Sequence, residues 1–89
     1  MKFFYIYVLQ NEKDANWYTG STSNLKKRLQ EHNKGYNFST KNRRPWELIY
    51  YEASLNKNDA KAREKYLKSG MGKRYLRNRL KLFSNQKLI

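Results

Sequence analysis

Two tyrosine-containing triplets lie near the start of the chain, and a basic segment follows them. Tyr5-Ile6-Tyr7 precedes Tyr18-Thr19-Gly20, and the later residues that could join them in one site are Arg28, His32 and Glu64. Phenol, guanidinium, imidazole and carboxylate groups can together activate a water, neutralise a phosphate and hold one divalent metal. These residue types therefore fit the hydrolysis of a phosphodiester bond, provided that the fold brings them together.

The overall charge indicates the kind of partner. Twenty Lys and Arg residues against seven Asp and Glu residues give a formal net charge of +13 in 89 residues. Nucleic acid, an anionic membrane surface or an acidic protein could each attract such a chain. A membrane binder would concentrate its basic residues opposite a strongly apolar face, whereas here they run through the middle and the end of the sequence. Nucleic acid is therefore the favoured partner.

The size and composition of the chain predict one small domain spanning residues 1–89. The chain has no cysteine, which excludes disulfides and thiolate metal sites and is compatible with a reducing cytosol. The N-terminal segment MKFFYIYVLQ is too short and too polar for a signal peptide or a membrane span. We therefore expect a cytoplasmic domain with no targeting segment and no membrane partner.

Three segments have the composition and alternation of β-strands. Residues 3–9 are aromatic and β-branched, with one side formed by Phe4, Ile6 and Val8 and the other by Phe3, Tyr5, Tyr7 and Leu9. The polar residues 10–16 predict a turn, after which residues 17–19 predict a short second strand antiparallel to the first. Residues 46–52 predict the third strand.

Helical spacing and cap residues predict three helices. The first runs over residues 25–34 and ends at Gly35, and the second runs over residues 60–69 and ends at Gly70. The third covers residues 73–83, with apolar residues at helical spacing and basic residues on its other faces. The resulting order, ββαβαα, predicts a small α/β sandwich with a three-stranded mixed or antiparallel sheet flanked by helices.

The first predicted helix carries two of the candidate catalytic residues on its apolar face. Leu25, Arg28, Leu29 and His32 share the face defined by the i, i+3, i+4 and i+7 positions. Because two leucines anchor this face in the core, Arg28 and His32 are expected at its edge, held in place rather than exposed to solvent.

In this order the segments resemble those of the GIY-YIG nuclease superfamily. Tyr5-Ile6-Tyr7 stands where that family has Gly-Ile-Tyr, and Tyr18-Thr19-Gly20 stands where it has Tyr-Ile-Gly. Residues 20–32, 41–46 and 62–68 resemble the small stand-alone branch related to the excision-repair nuclease domain. The resemblance covers nearly the whole chain and implies the fold and activity of a nuclease. The first triplet departs from the family pattern, with Tyr5 in the place of glycine.

The resemblance implies that Glu64 binds one divalent cation, Mg²⁺ or Mn²⁺. A lone glutamate suffices, because Mg²⁺ is commonly held by one or two carboxylates together with waters and substrate phosphate. The alternative role of Glu64 is an ion pair with Lys68, four residues further along the helix. The family also has an asparagine after its glutamate, and Asn78 is the nearest candidate here.

Arg28 and His32 are expected to act on the phosphate and on the attacking water. The planar guanidinium of Arg28 can donate to the non-bridging phosphate oxygens, where charge builds up in the transition state. The alternative is that Arg28 belongs to a solvated basic face together with Lys26 and Lys27. His32, the only histidine, can orient the water or move a proton, with a structural role as the alternative.

One of two tyrosines is expected to be the general base. Tyr7 and Tyr18 are predicted on adjacent strands facing the first helix, and we favour Tyr7 as the base, with Tyr18 positioning it or contacting a metal-bound water. A phenol with an ordinary pKa of about 10 needs neighbouring positive charge to act at neutral pH. Core packing is the alternative for both rings. Gly20 is expected to permit a close approach or a bend of the backbone.

Basic residues elsewhere are expected to bind the nucleic-acid backbone. The predicted contacts are Lys41, Arg43, Arg44, Lys57, Lys73, Arg74 and Arg77. Contacts to phosphates give affinity that depends on salt and does not read sequence. Trp46, at the end of the basic loop, could stack on a base or belong to the core.

Together these features favour a metal-dependent endonuclease domain acting on DNA, in repair or recombination. Its substrate is expected to be branched or damaged DNA, with targeting by a protein partner or by formation of a homodimer. The alternative is a non-catalytic nucleic-acid-binding module on the same fold. A basic scaffold that binds RNA or ribosomes would explain the charge but not the ordered triplets.

Overall fold

A computed structural model describes residues 1–86 of the chain. The strands are β1 (Phe4–Asn11), β2 (Trp17–Thr22) and β3 (Trp46–Ser54), and the helices are α1 (Leu25–Lys34), α2 (Lys57–Lys68), α3 (Gly70–Arg79) and α4 (Lys81–Gln86). One turn of 3₁₀ helix, Lys41–Arg43, precedes β3. The predicted α/β class and the order of the elements are confirmed. Within residues 1–86, no helix is long and apolar enough to cross a membrane.

The sheet has the strand order β2-β1-β3 with both pairings antiparallel, so β1 is its central strand. The alternation predicted for β1 is confirmed, because its two sides pack into two separate cores. Ile6 and Val8 pack with residues of α2 and α3, whereas Tyr7 and Leu9 face α1. The sheet therefore separates α1 from the pair α2 and α3.

The local signals at the ends of α1 are confirmed. The side chain of Asn24 accepts a hydrogen bond from the backbone N–H of Lys27, which caps the first turn. Gly35 ends the helix with φ +83°, a left-handed conformation that glycine adopts without steric cost. These two caps fix the ends of the helix that carries Arg28 and His32.

Several predicted boundaries need correction. β2 continues to Thr22, since Gly20 and Ser21 pair with the centre of β1. α2 begins at Lys57, three residues before the predicted start, because the Asn56 side chain accepts hydrogen bonds from two backbone N–H groups and caps this turn.

The C-terminal helices also differ from their predicted bounds. Gly70 does not terminate a helix: Ser69 ends α2, and its side chain caps the next helix, in which Gly70 is the first residue. The single helix predicted over residues 73–83 is divided at Leu80 into α3 and α4. A serine that can serve both helix ends allows two helices to follow each other almost without a linker.

A polar cluster joins β3 to α2 and α3 on the face away from α1. The guanidinium of Arg63 donates to both carboxylate oxygens of Glu52, at 2.8 and 2.9 Å, and Tyr50 donates its hydroxyl to the same carboxylate at 2.8 Å. The guanidinium also lies over the rings of Tyr66 and Tyr75. The hydrogen bonds from Arg63, and then the hydrogen bond from Tyr50, hold the pKa of Glu52 below its ordinary value despite burial.

Replacing Glu52 by glutamine should lower the free energy of unfolding at pH 7 by about 1–3 kcal/mol, the usual range for a hydrogen bond to a charged group. Because the folded pKa of Glu52 is depressed, its contribution is complete above the ordinary carboxylate pKa and is lost as the pH falls through the folded value. The difference between wild type and Glu52→Gln in urea unfolding should therefore shrink in acid. Glu12→Gln, at an exposed position, is the matched control, and equal stability at pH 7 would contradict the expectation.

Candidate active site

Tyr7 and His32 make a buried contact between β1 and α1. The Tyr7 hydroxyl lies 2.8 Å from Nε2 of His32, and Nδ1 of His32 lies 2.7 Å from Oγ1 of Thr40. All three side chains are buried. The contact arises because Tyr7 points toward α1 and His32 follows the two leucines that anchor that helix in the same core. Tyr7 thus faces the first helix, as predicted, and its hydroxyl contacts the histidine of that helix.

The ionisation of both groups is set mainly by burial. Burial lowers the pKa of His32, and the positive charge of Arg28 lowers it further, so the ring is neutral near pH 7. A neutral imidazole has one donor and one acceptor nitrogen. In the tautomer protonated at Nδ1, His32 donates a hydrogen bond to Oγ1 of Thr40 and accepts one from the Tyr7 hydroxyl at Nε2. That arrangement gives Tyr7 a direct acceptor for its proton.

The pKa of Tyr7 differs from the sequence-based expectation of activation by positive charge. Burial raises this pKa well above its ordinary value, the nearby Tyr18 and Glu64 raise it further, and Arg28 opposes them. Before substrate binds, Tyr7 is therefore a protonated phenol. Its activation needs a further positive charge or the removal of its proton by His32.

The second triplet forms the wall of this site on β2. Tyr18 is half-buried, and the centre of its ring lies 5.1 Å from that of His32. Gly20 pairs directly with Tyr7 across the sheet. A Cβ at residue 20 would lie 2.5 Å from the Tyr7 hydroxyl oxygen and 2.6 Å from Cζ. The predicted close approach at Gly20 is confirmed, and the group that approaches is the phenol of Tyr7.

Gly20→Ala should displace the Tyr7 ring and weaken its hydrogen bond to His32, because the added methyl group overlaps the hydroxyl. We expect a loss of about 1–3 kcal/mol in the free energy of unfolding, typical of overpacking a core. The His32 ring resonances in an NMR spectrum should shift at the same time. Thr19→Ala on the same strand is the control, and unchanged His32 resonances in Gly20→Ala would contradict the contact.

Arg28 lies at the edge of the same helix face, as predicted. Its Nε is 3.4 Å from Oε1 of Glu31, an ion pair without the geometry of a hydrogen bond. Among the residues that the structure describes, this buried Nε has no hydrogen-bond partner. Arg28 also lines a cleft of about 350 Å³ with Ser21 and Lys57. A buried guanidinium N–H without a partner, beside an open cleft, is suited to an anion such as phosphate.

Glu64 reaches the site from α2, on the other face of the sheet. Ser21 on the edge strand β2 donates its hydroxyl to Oε1 at 2.6 Å, and Lys68 lies 2.9 Å from Oε2. Burial alone would raise the pKa of Glu64, but the hydrogen bonds from Lys68 and Ser21 outweigh it and hold the pKa below its ordinary value. The carboxylate is therefore ionised at neutral pH, and it is near enough to raise the pKa of Tyr7.

Glu64 has the features required by both of its predicted roles. The ion pair with Lys68 is present, as the structural alternative requires, and Lys61 adds a second cation at 3.8 Å. Residues 1–86 contain no group of three or more His, Cys, Asp or Glu side chains that could hold a metal alone. A single ionised carboxylate with an adjacent serine hydroxyl supplies hard oxygen donors, which fit Mg²⁺ or Mn²⁺ if substrate and water complete the ligand set. The binding of such an ion requires Lys68 to move from the carboxylate.

Most of the predicted nucleic-acid contacts line one of three different clefts. Lys57 lies in the cleft with Arg28. Arg43, Lys73 and Arg77 line a second cleft beside Trp17, and Lys41 and Arg44 line a third hollow near Pro45. Arg74 is exposed on α3. Trp46 is buried and donates its indole N–H to the Thr40 carbonyl, so it belongs to the core and not to a stacking surface.

Four residues near the site were not singled out from the sequence. Ser21 and Thr40 hold Glu64 and His32, and Lys2 and Lys61 line the cleft with Arg28. Of these four, only Lys61 could have been recognised from the sequence, because it lies three residues before Glu64 on a helix and can pair with it. Asn78 lies exposed on α3.

The family is decided by comparison with known proteins. The model of the GIY-YIG catalytic domain matches residues 3–81. The chain belongs to the GIY-YIG family. Because that family is one of nucleases, the substrate class it implies for this GIY-YIG domain is nucleic acid.

Relatives of this GIY-YIG domain occur among the UPF0213 proteins. A UPF0213 protein of Clostridium perfringens is 41% identical over 85 residues, covering 94% of this chain and 77% of its own. A UPF0213 protein of Pediococcus acidilactici is 41% identical over 81 residues, covering 84% of this chain and 82% of its own. The solution NMR structure of a UPF0213 protein of Bacillus halodurans matches with a TM-score of 0.50 and 32% identity, over 83% of this chain and 81% of that one. Sequence and fold thus agree on the family.

Proposed function

We propose that this GIY-YIG domain is a metal-dependent endonuclease that hydrolyses DNA phosphodiester bonds, with Tyr7, Tyr18, Arg28, His32 and Glu64 forming its active site. The observation that carries the proposal is the buried hydrogen bond between Tyr7 and a neutral His32, together with a charged carboxylate and a guanidinium that are both near enough to act on the pKa of Tyr7. Core packing alone does not require that particular set of groups.

Glu64 is the residue that would hold one Mg²⁺ or Mn²⁺ ion, with its other ligands supplied by substrate and water. When bound, such an ion supplies Lewis-acid stabilisation of the phosphate and lowers the pKa of nearby water or phenol groups. Ser21 orients the carboxylate through its 2.6 Å hydrogen bond.

Tyr7 and His32 move the proton of the attacking water. The Tyr7 hydroxyl passes its proton to Nε2 of His32, and the resulting phenolate accepts a proton from water as the water oxygen forms its bond to phosphorus. The bond from phosphorus to the leaving oxygen then breaks, the electron pair leaves with that oxygen, and the oxygen takes a proton from solvent. His32 releases its extra proton to solvent, which restores the starting state. Thr40 fixes the His32 ring by its contact with Nδ1, and the Tyr18 ring packs edge-to-face with it.

Arg28 neutralises the phosphate that is cut. Its Nε, buried beside the cleft and without a hydrogen-bond partner in the described part of the chain, can donate to a non-bridging oxygen when it leaves the ion pair with Glu31. Lys57 and Lys61, which line the same cleft, add positive charge for the neighbouring phosphates. The distribution of the remaining basic residues over other clefts suits a substrate with more than one arm, such as branched DNA met in repair or recombination, with a protein partner or a second copy of the chain providing targeting.

A second candidate function rests on the ion pair of Glu64. Lys68 and Ser21 together occupy both carboxylate oxygens. If Lys68 stays in place when substrate binds, no metal is held, and the chain is a non-catalytic nucleic-acid-binding module on the nuclease fold.

The two functions are separated by a cleavage panel. Purified protein is incubated with Mg²⁺, Mn²⁺ or EDTA and with plasmid, duplex, single-stranded and branched DNA, and the products are resolved on denaturing gels. The endonuclease proposal expects nicks that require the metal and increase with enzyme concentration. Tight binding with no cutting in any combination would contradict it and favour the binding module.

A further inference from the structure

Three aromatic side chains form an exposed strip on the face of the sheet that carries Tyr7. Tyr51 on β3 pairs directly with Tyr7 across the sheet, and Tyr5 lies two residues before Tyr7 on β1. The rings of Tyr5 and Tyr51 therefore project from the same face as Tyr7. Phe3 continues this side of β1. We call Phe3, Tyr5 and Tyr51 the aromatic strip.

The strip is exposed because α1 covers only the other end of this face. Leu25 and Leu29 of α1 pack over the core formed by Tyr7, Leu9 and Trp46, at the Tyr7 end of this face. Tyr51 is 54% exposed, Phe3 is 42% exposed, and Tyr5 is partly exposed. The face thus continues without interruption from a buried catalytic tyrosine to open aromatic rings.

The rings of the strip contact one another. The centre of the Tyr5 ring lies 5.8 Å from that of Tyr51 in an edge-to-face arrangement, and 6.5 Å from that of Phe3. Such contacts restrict the rings and keep their apolar faces available at little entropic cost. Tyr5 is the residue that stands where the family triplet has glycine, so its ring is what joins Phe3 to Tyr51.

We propose that the aromatic strip is a stacking site for unpaired nucleobases next to the phosphate that is cut. This inference rests on the proposed function, and it names the substrate as DNA with a single-stranded segment at the cleavage site. The chain carries a formal charge of +13, which favours a polyanion over an apolar protein partner. The direct pairing of Tyr51 with Tyr7 places the strip beside the proposed general base. Lys2 and Phe4, the chain neighbours of Phe3, line the cleft proposed for the phosphate.

Stacking on side chains requires unpaired bases. Inside a duplex each base already stacks on its neighbours, and its faces are not accessible to a protein side chain. In a single strand, successive bases stack readily on exposed aromatic rings, largely without regard to sequence. The strip therefore selects for flaps, gaps, branches or frayed ends and gives the domain structure preference without a sequence-reading helix.

The test compares binding of single-stranded and blunt-ended duplex oligonucleotides in EDTA, followed by fluorescence anisotropy. Tyr51→Ala and Tyr5→Gly should each weaken binding of the single strand by about tenfold and leave duplex binding nearly unchanged. Tyr51→Phe, which keeps the ring and loses only the hydroxyl, should bind the single strand as the wild type does. Tyr36→Ala removes an exposed ring in the loop after α1 and is the matched control. Urea unfolding confirms that each variant is folded.

Two results would overturn the proposal. One is an equal loss of single-strand and duplex binding, or a loss no greater than that of Tyr36→Ala. The other is a change from dimer to monomer in sedimentation that accompanies Tyr51→Ala without a change in DNA binding, since the strip would then be a contact between copies of the chain. These measurements need no cleavage. The stacking proposal can therefore be wrong while metal-dependent cutting is observed, or be confirmed while no cutting is observed.

Discussion

Glu64→Gln should abolish metal-dependent cutting, with a loss of at least about a thousandfold in the single-turnover rate, because it removes the one charged ligand proposed for the metal. DNA binding should be retained or become tighter, since one negative charge is lost beside a cationic cleft. Glutamine keeps the size of the side chain and can still accept the Ser21 hydroxyl hydrogen bond. Cleavage is measured on a labelled branched oligonucleotide, and binding is measured by anisotropy.

Glu12→Gln provides the control for this prediction, because Glu12 is an exposed glutamate at the turn between β1 and β2. It should cut as the wild type does. Lys68→Met removes the ion-pair partner of Glu64 and should lower the metal concentration needed for half-maximal cutting, because the metal no longer competes with an ammonium group. If Glu64→Gln still cuts at the wild-type rate, Glu64 is only a structural partner of Lys68 and the proposed metal site is wrong.

Tyr7→Phe should reduce the cleavage rate by about a hundred- to ten-thousandfold, the usual contribution of a general base. The phenyl ring preserves the packing of the buried side chain, so the loss of stability should be limited to the hydrogen bond with His32, about 1 kcal/mol. DNA binding should stay close to that of the wild type. Tyr36→Phe, at an exposed position, is the control and should cut normally.

The pH dependence of the wild-type rate provides an independent check on Tyr7. In the proposed mechanism the Tyr7 proton passes to His32, so the rate should follow the neutral fraction of His32. The pKa of His32 is lowered, so this ring is already neutral in the neutral and alkaline range, and the rate should change little with pH there. The rate should fall as the pH drops through the pKa of His32, and Tyr7→Phe should remove this fall. A steep rise through the alkaline range, in the wild type or in Tyr7→Phe, would assign the proton transfer to another group.

Much of the site could be predicted from local sequence patterns. The two-residue period of β1 placed Tyr7 on the opposite face from Ile6 and Val8, and the helical period placed Arg28 and His32 with the leucines of α1. Both patterns act over a few residues and depend on backbone geometry alone. The hydrogen bond between Tyr7 and His32 follows once the strand and the helix pack together.

Contacts between distant elements could not be predicted in the same way. Ser21 and Glu64 are 43 residues apart in sequence, and their contact depends on how α2 packs against β2. The contact of Thr40 with His32 depends on the path of an irregular loop. The burial that raises the pKa of Tyr7 is likewise a property of the packed core. Its effect on this pKa exceeds that of the neighbouring positive charge of Arg28.

The basic residues show what a charge count can and cannot predict. A net charge of +13 predicts a polyanionic partner whatever the fold, because long-range attraction depends little on detail. It does not determine how the charges divide among surfaces, and the structure distributes the predicted contacts over separate clefts. A glycine is likewise an uncertain indicator of a helix end. Gly70, the predicted end of one helix, is the first residue of the next helix, which Ser69 caps.

The most direct test of the assembled site is paramagnetic broadening by Mn²⁺ in the NMR spectrum of the labelled protein, bound to a phosphorothioate oligonucleotide that resists cleavage. We expect selective loss of the amide signals of Gly20, Ser21 and Glu64 together with the His32 ring signals, and recovery of all of them in Glu64→Gln. Broadening that is confined to other surfaces, or that is unchanged by Glu64→Gln, would contradict a single metal-dependent site formed by β1, β2, α1 and α2.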